Sequence, residues 1–244
     1  MSDQGRFSRR SILKGAAAVG AGLVMSGPMA KAQEAGGKTA GLSFPNEQFY
    51  GPDGKFNVDA GKDAIIRLME YHKYPVFKDV RERLWVSDYG LGQFTKLGLA
   101  ALQFINDQEG DFMVMDLYLL PNQMLPEHCH LATAKCASKM EGWVVRHGVS
   151  YVYGEGESSK DMSATRTGGS ADPFGGKAVI PDFEKGNVTV YHETILLPGQ
   201  SAKLNRKEAR HWQFAGPEGA ILTESATYHD NDGVRHTDPK IVFP

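Results

Sequence analysis

The chain has 244 residues, with 27 Lys and Arg against 29 Asp and Glu and a formal charge of -2. That balance, without basic or acidic blocks, gives no electrostatic footprint for nucleic acid and no membrane-surface helix. A hydrophobic content of 41% over this length fits one soluble domain that buries about 70% of its unfolded surface, so its two cysteines are not needed as staples.

At the start of the chain Arg6, Arg9, Arg10 and Lys14 precede an apolar run from Gly15 to Met29, followed by Ala30-Lys31-Ala32. Paired arginines, an apolar run and a small-x-small pattern look like a twin-arginine signal peptide over residues 1–32. Pro28 breaks the run before it reaches the roughly 20 apolar residues that span a bilayer. The expected product is a periplasmic or secreted protein beginning at Gln33, with the twin-arginine export machinery as a partner. That route moves folded proteins, so a metal can be collected in the cytosol, where availability rather than raw affinity selects it.

Residues 33–57, rich in Gly, Lys and Asn, read as an outer arm, and residues 58–244 as a single domain. From Asp59, Ala64, Ile65, Leu68, Met69 and His72 recur at helical spacing, with Asp59 placed to cap and Pro75 to stop the helix. A second short helix is expected over 77–84. After that the period changes to two, and strands are expected over 100–105, 112–119, 142–153, 188–197 and 220–227. Strands without interleaved helices imply an antiparallel, all-β barrel or sandwich with minor N-terminal helices. A polar excursion over 154–177 interrupts them, as a surface loop or as one lip of a site.

The chemistry concentrates between Leu119 and Gly156. His128 and His130 flank Cys129, and in an extended strand they point the same way. Glu141 follows after ten residues and Gly148 after six more. Two imidazoles and a carboxylate make three corners of a metal site, and His211 is the best candidate for the fourth. Three neutral imidazoles and one carboxylate suit Mn²⁺, Fe²⁺ or Zn²⁺. Glu127 and Cys129 alternate with the histidines and should face away; an oxidising compartment would allow a Cys129–Cys136 disulfide, which two cysteines alone do not decide. His72 and His147 read as structural, while His192, His229 and His236 carry no pattern that assigns them.

Lys139 shares a face with Glu141 if the strand begins early enough, so its ammonium either reaches a substrate oxygen or serves a rim salt bridge. Trp143 continues that face, as a pocket wall or as core. His-x-His, then Glu-x6-Gly, then Pro198-Gly199 before His211, resembles the two-part motif of cupins. The wider sequence is similar to the D-lyxose isomerase family within the cupins. The matching segments are 119–130, Lys139-x-Glu141, 191–199, 211–220 and Glu224-Ser225-x-Thr227, closed by Asp230-x-Asp232 and Thr237-Asp238-Pro239. The spacer from His130 to Glu141 is longer than the compact cupin pattern.

The resemblance implies a double-stranded β-helix, with His128, His130, Glu141 and His211 holding a divalent metal, most often manganese. It implies interconversion of an aldose and its ketose, D-lyxose with D-xylulose or D-mannose with D-fructose, and a homodimer is the expected assembly. A cation bound by both sugar oxygens stabilises an enediolate as a Lewis acid, and a carboxylate moves the carbon-bound proton between C2 and C1. Glu224 stands where the family has that base; on residue type alone it is a solvent-facing strand glutamate. Asp232 and Arg235, in the last segment, are candidate sugar contacts, although Val234-Arg235-His236 does not match the family pattern. A cupin dioxygenase or lyase with the same ligands, and a non-catalytic sugar-binding cupin, are the alternatives.

Overall fold

The computed structural model describes residues 41–159 and 178–243. The twin-arginine-like segment, the first part of the expected arm and most of the polar excursion lie outside the described residues.

The described part of the arm is packed rather than free: Phe49 is fully buried and Asn46 donates to the Gly92 carbonyl. Helix α1 (Val58–Tyr71) is capped by Asn57, whose side chain accepts from the Ala60 amide. Asp59 sits inside the first turn instead, where its charge favours the helix dipole without forming the cap. The helix buries Ala64, Ile65, Leu68 and Met69 against Val86, Ala100, Leu102, Tyr118 and Ile221 on the outer face of the sheet. Helix α2 is a single turn (Val80–Arg83), shorter than expected, and Asp79 before it makes no side-chain cap.

Nine strands follow among the described residues: β1 (Trp85–Ser87), β2 (Leu99–Asp107), β3 (Phe112–Leu119), β4 (Met124–His130), β5 (Glu141–Gly154), β6 (His192–Leu196), β7 (Ser201–Lys203), β8 (His211–Ala226) and β9 (Val234–His236). Their ladders are antiparallel, in the order β1-β2-β3-β8-β4-β9, with β5 along the other edge of β8. The sheet curls into an all-β cupin barrel. Alternation along β2 and β3 assigns the faces: Leu99, Met113, Met115 and Leu117 point into the barrel with Trp143, Tyr151 and Trp212. Ala100, Leu102 and Tyr118 point outwards beneath α1.

Strand β8 is the organising element. Its first half pairs with β4 and its second with β3, while β5 runs beside both. Gly148 makes that possible. Its φ is 72°, and a Cβ there would stand 2.0 Å from the Gly219 carbonyl oxygen, so only glycine fits the crossing.

Two expectations shift for a physical reason. The strand expected over 220–227 is the second half of β8, which begins at His211. The strand expected over 188–197 begins only at His192, because the buried Glu127 carboxylate takes the Thr189 and Val190 amides at 2.6 and 3.0 Å. The same carboxylate accepts from the Thr189 and Thr237 hydroxyls, both at 2.6 Å. Four charge-assisted bonds tie the 188–191 loop to the C-terminal segment. Glu127→Ala is therefore expected to cost about 2 kcal/mol of unfolding free energy, because it removes four bonds at a buried carboxylate and leaves part-buried donors unpaired. A shift below about 1 kcal/mol in a urea titration would contradict that role.

A buried metal-ligand cluster beside a second carboxylate

The fold brings four separated residues to one point. His128 and His130 stand on the same face of β4, Glu141 opens β5, and His211 opens β8 directly opposite His128 in the ladder. One ligand atom from each lies within 4.8 Å of all the others, and all four side chains are buried. The His128 Nδ1 donates to the Pro126 carbonyl at 2.9 Å, and the His211 Nδ1 donates to the Ala209 carbonyl at 3.0 Å. Since a carbonyl only accepts, each Nδ1 carries a proton, and in the neutral ring each Nε2 offers a lone pair.

The lone pair of a neutral His211 is aimed at another acceptor, the Glu141 carboxylate. The His211 Nε2 stands 2.7 Å and the His130 Nε2 3.3 Å from the same Glu141 Oε1. The His130 Nε2 and Glu141 Oε1 have no hydrogen-bond partner. Acceptors crowded together in a dry site are reconciled by a cation. Burial holds His128 well below its usual range and His130 down to about 4, so both stay neutral and ready to ligate. Burial also works to lower His211, but the Glu141 carboxylate outweighs it and holds this histidine up. The residues fit a divalent metal with three imidazoles and one carboxylate.

Beside this cluster sits a second carboxylate. The Lys139 Nζ lies 2.6 Å from the Glu141 Oε2 and also bonds the Glu224 Oε1. The Trp143 Nε1–H donates to the Glu224 Oε2 at 3.2 Å. Burial acts to discharge Lys139, yet its two carboxylates hold it above its ordinary value. Glu141 is held well below the carboxylate range: burial raises it, and Lys139 with the two histidines more than offsets that. Glu224 goes the other way, pushed to about 7 by burial, with Glu141 adding to the shift and Lys139 opposing it. Two neighbouring carboxylates are thus driven apart, one a fixed anion and one poised to exchange a proton near neutrality.

Both groups open onto a cavity of about 280 Å³. Its lining combines the apolar Trp85, Leu99, Leu117 and Phe243 with the polar Arg83 and Gln103, and carries His128, His130, Lys139, Glu141 and Glu224. A larger groove of about 590 Å³ lies elsewhere, around Tyr74, Phe104 and Arg146, and includes none of the predicted site residues.

Six predicted residues are therefore gathered: His128, His130, Glu141, His211, Lys139 and Glu224. Trp143 is 2% exposed and stands behind Glu224 and His211, so it positions the carboxylate and does not wall the cavity. Trp143→Phe removes that one donor; kcat should fall about tenfold with metal content unchanged. An unaltered kcat would show that Glu224 needs no such anchor.

Asp232 and Arg235 are not at the cavity. Asp232 is on the surface, bonded by the Lys135 Nζ at 2.9 Å, and the Arg235 Nη1 donates to the Asp232 and Val234 carbonyls. Their neighbours are there instead. Strand β9 pairs His236 with His128 and Arg235 with Cys129, so alternation sends His236 inwards and Arg235 outwards. His229, Asn231 and Val234 also line the cavity. Burial pushes His229 down to about 3 and His236 to about 4, so both are neutral. Cys129 and Cys136 are both free thiols.

No protein-family model matches the chain. Its similarity to characterised proteins is nonetheless extensive. It is 32% identical over 161 residues to a D-lyxose ketol-isomerase of Cohnella laeviribosi, covering 66% of this chain and 79% of that one. It is 28% identical over 187 residues to a D-lyxose/D-mannose isomerase of Thermosediminibacter oceani, covering 77% and 94%. Among solved structures, an L-ribose isomerase of Cellulomonas parahominis superposes with a TM-score of 0.56 at 13% identity, over 79% of this chain and 95% of that one. That likeness concerns the fold.

Proposed function

The chain belongs to the D-lyxose ketol-isomerase family, and from that premise we propose that this aldose–ketose isomerase interconverts D-lyxose with D-xylulose and D-mannose with D-fructose. The observation that carries the reading is the pairing of Glu224 with a cation-demanding cluster across one small cavity. His128, His130, Glu141 and His211 would hold a divalent ion, which would supply Lewis acidity at the sugar carbonyl; we propose Mn²⁺, since the donor set admits it.

The chain's own groups do the rest. Glu224, poised near neutrality, takes the proton from C2 and returns it to C1, while the O2 hydroxyl proton passes to O1 as hydroxyl and carbonyl exchange. Lys139 carries a fixed positive charge beside both carboxylates, which stabilises an oxygen gaining negative charge. Trp143 fixes the Glu224 carboxylate by its indole N–H. An oxygenase needs no such carboxylate, which is why the isomerase reading is preferred. The cavity is at the small end of ligand pockets, which suits a free sugar.

Export by the twin-arginine route, with a periplasmic or secreted location, rests on the arginine pair and apolar run of the first 32 residues. A homodimer is supported by the exposed apolar side chains Phe104, Ile105 and Phe112 on neighbouring strands. The catalytic proposal is tested by incubating the Mn²⁺-loaded protein with a panel of aldoses and assaying ketose. D-Xylulose from D-lyxose is expected; no ketose from any aldose would overturn it.

A further inference from the structure

Eight buried side-chain nitrogen or oxygen atoms among the described residues lack a hydrogen-bond partner, and five belong to residues lining the cavity beside Glu224. Two are the His130 Nε2 and the Glu141 Oε1, explained by the cation their cluster demands. The other three are the Nδ1 of His229 and both ring nitrogens of His236. Buried polar atoms are nearly always paired, and each one left bare carries a desolvation penalty. A concentration of them on one cavity wall marks the place of a hydrogen-bonding ligand.

The geometry makes His229 the more specific of the two. Its Nε2 faces the Asn231 Oδ1 at 2.8 Å. An amide oxygen only accepts, so the Nε2 carries the ring proton and the Nδ1 presents a lone pair. The ring lies 5.7 Å from that of His130, centroid to centroid. His236 lies 5.5 Å from His128 on one side and 5.6 Å from Phe243 on the other. The Glu127 carbonyl lies near His236 without a hydrogen bond of good geometry. Neither ring has a hydrogen bond or ion pair to the four ligand side chains, so neither is needed to hold the cluster.

We propose that His229 is a specificity-determining residue whose Nδ1 accepts a hydrogen bond from one hydroxyl of the sugar, and that His236 contacts a second hydroxyl between the cluster and the aromatic wall. This rests on the isomerase reading for its ligand class. The sugar's reacting carbons lie at the cluster, and its remaining hydroxyls meet these two imidazoles. Asn231 acts through His229 by fixing its tautomer. A polar acceptor of this kind rejects a sugar that lacks the matching hydroxyl, because it is then left desolvated and unpaired.

The test is sugar binding by calorimetry on the metal-loaded protein, with D-lyxose and each of its singly deoxygenated analogues. His229→Leu is expected to raise the Kd for D-lyxose about tenfold, with metal content unchanged. The same substitution should leave unchanged the Kd for the one analogue missing the partner hydroxyl. His229→Asn, which puts an amide oxygen near the former Nδ1, should recover most of the loss. An equal penalty for every analogue, an unrescued Asn variant, or no penalty at all would overturn the assignment. Conversion is measured in parallel: the binding pattern without ketose formation would sink only the isomerase reading, and absence of sugar binding by the native protein would sink both.

Discussion

Glu224→Gln is expected to lower kcat for aldose–ketose conversion by about 10³-fold, with metal content and KM nearly unchanged. The substitution keeps the size of the side chain. Its amide oxygen still accepts from Lys139 or from the Trp143 indole, so one of the two buried contacts persists and the other is lost. What is lost is the ability to exchange a proton, the property for which burial drives Glu224 to about 7. Lys139 keeps its other carboxylate, Glu141, so the charge in the site stays compensated. Full activity in this variant would remove Glu224 from proton transfer and leave the second carboxylate without a role.

His211→Ala should act by a different route, through loss of the metal itself. His211 supplies one of three imidazoles, and its Nε2 faces Glu141 at 2.7 Å. Removing it opens the cluster at the start of β8 and should weaken metal binding by more than about 100-fold, since even outer partners of ligands are worth 10- to 100-fold. Conversion should then fall to background at sub-millimolar metal. Stripping the native protein with a chelator should abolish activity too, and lower its unfolding free energy: at a free metal concentration about 1,000 times Kd, a site confined to the folded state contributes about 4 kcal/mol. Stoichiometric metal retained by His211→Ala, or a melting temperature indifferent to chelation, would refute the four-ligand cluster.

The ligand cluster was legible in the sequence because strand alternation is a local property. His128 and His130 had to share a face wherever β4 lay, and Glu141 and His211 carried the remaining chemistry. An antiparallel barrel or sandwich, too, followed from a period of two without interleaved helices, and the family resemblance chose the barrel. What was not legible depends on pairing at long range. β1, β7 and β9 have only three residues each, too few for periodicity to register. The register of β9 against β4 decides whether Arg235 or His236 enters the cavity, and a shift of one residue reverses the answer. Reading residue types pointed to the charged pair Asp232 and Arg235, whereas the sheet admits the imidazoles.

Trp143 shows the same limit within a strand that was read correctly. Its place on the Glu141 face was expected, but the bond from its indole to Glu224 depends on their pairing across β5 and β8. Glu127 is the converse case: its outward direction followed from alternation, yet its hold on Thr189 and Val190 needed the fold to bring a distant loop to it. Sequence pattern assigns faces, while tertiary pairing assigns partners.

The measurement closest to the central claim is ketose formation by the metal-loaded protein, with Glu224→Gln alongside. D-Lyxose should yield D-xylulose with the native chain and essentially none with the variant at equal metal content. If the native chain, fully loaded, yields no ketose from D-lyxose or D-mannose, or the variant matches it, the proposed coupling of a metal cluster to a proton-transferring Glu224 is wrong.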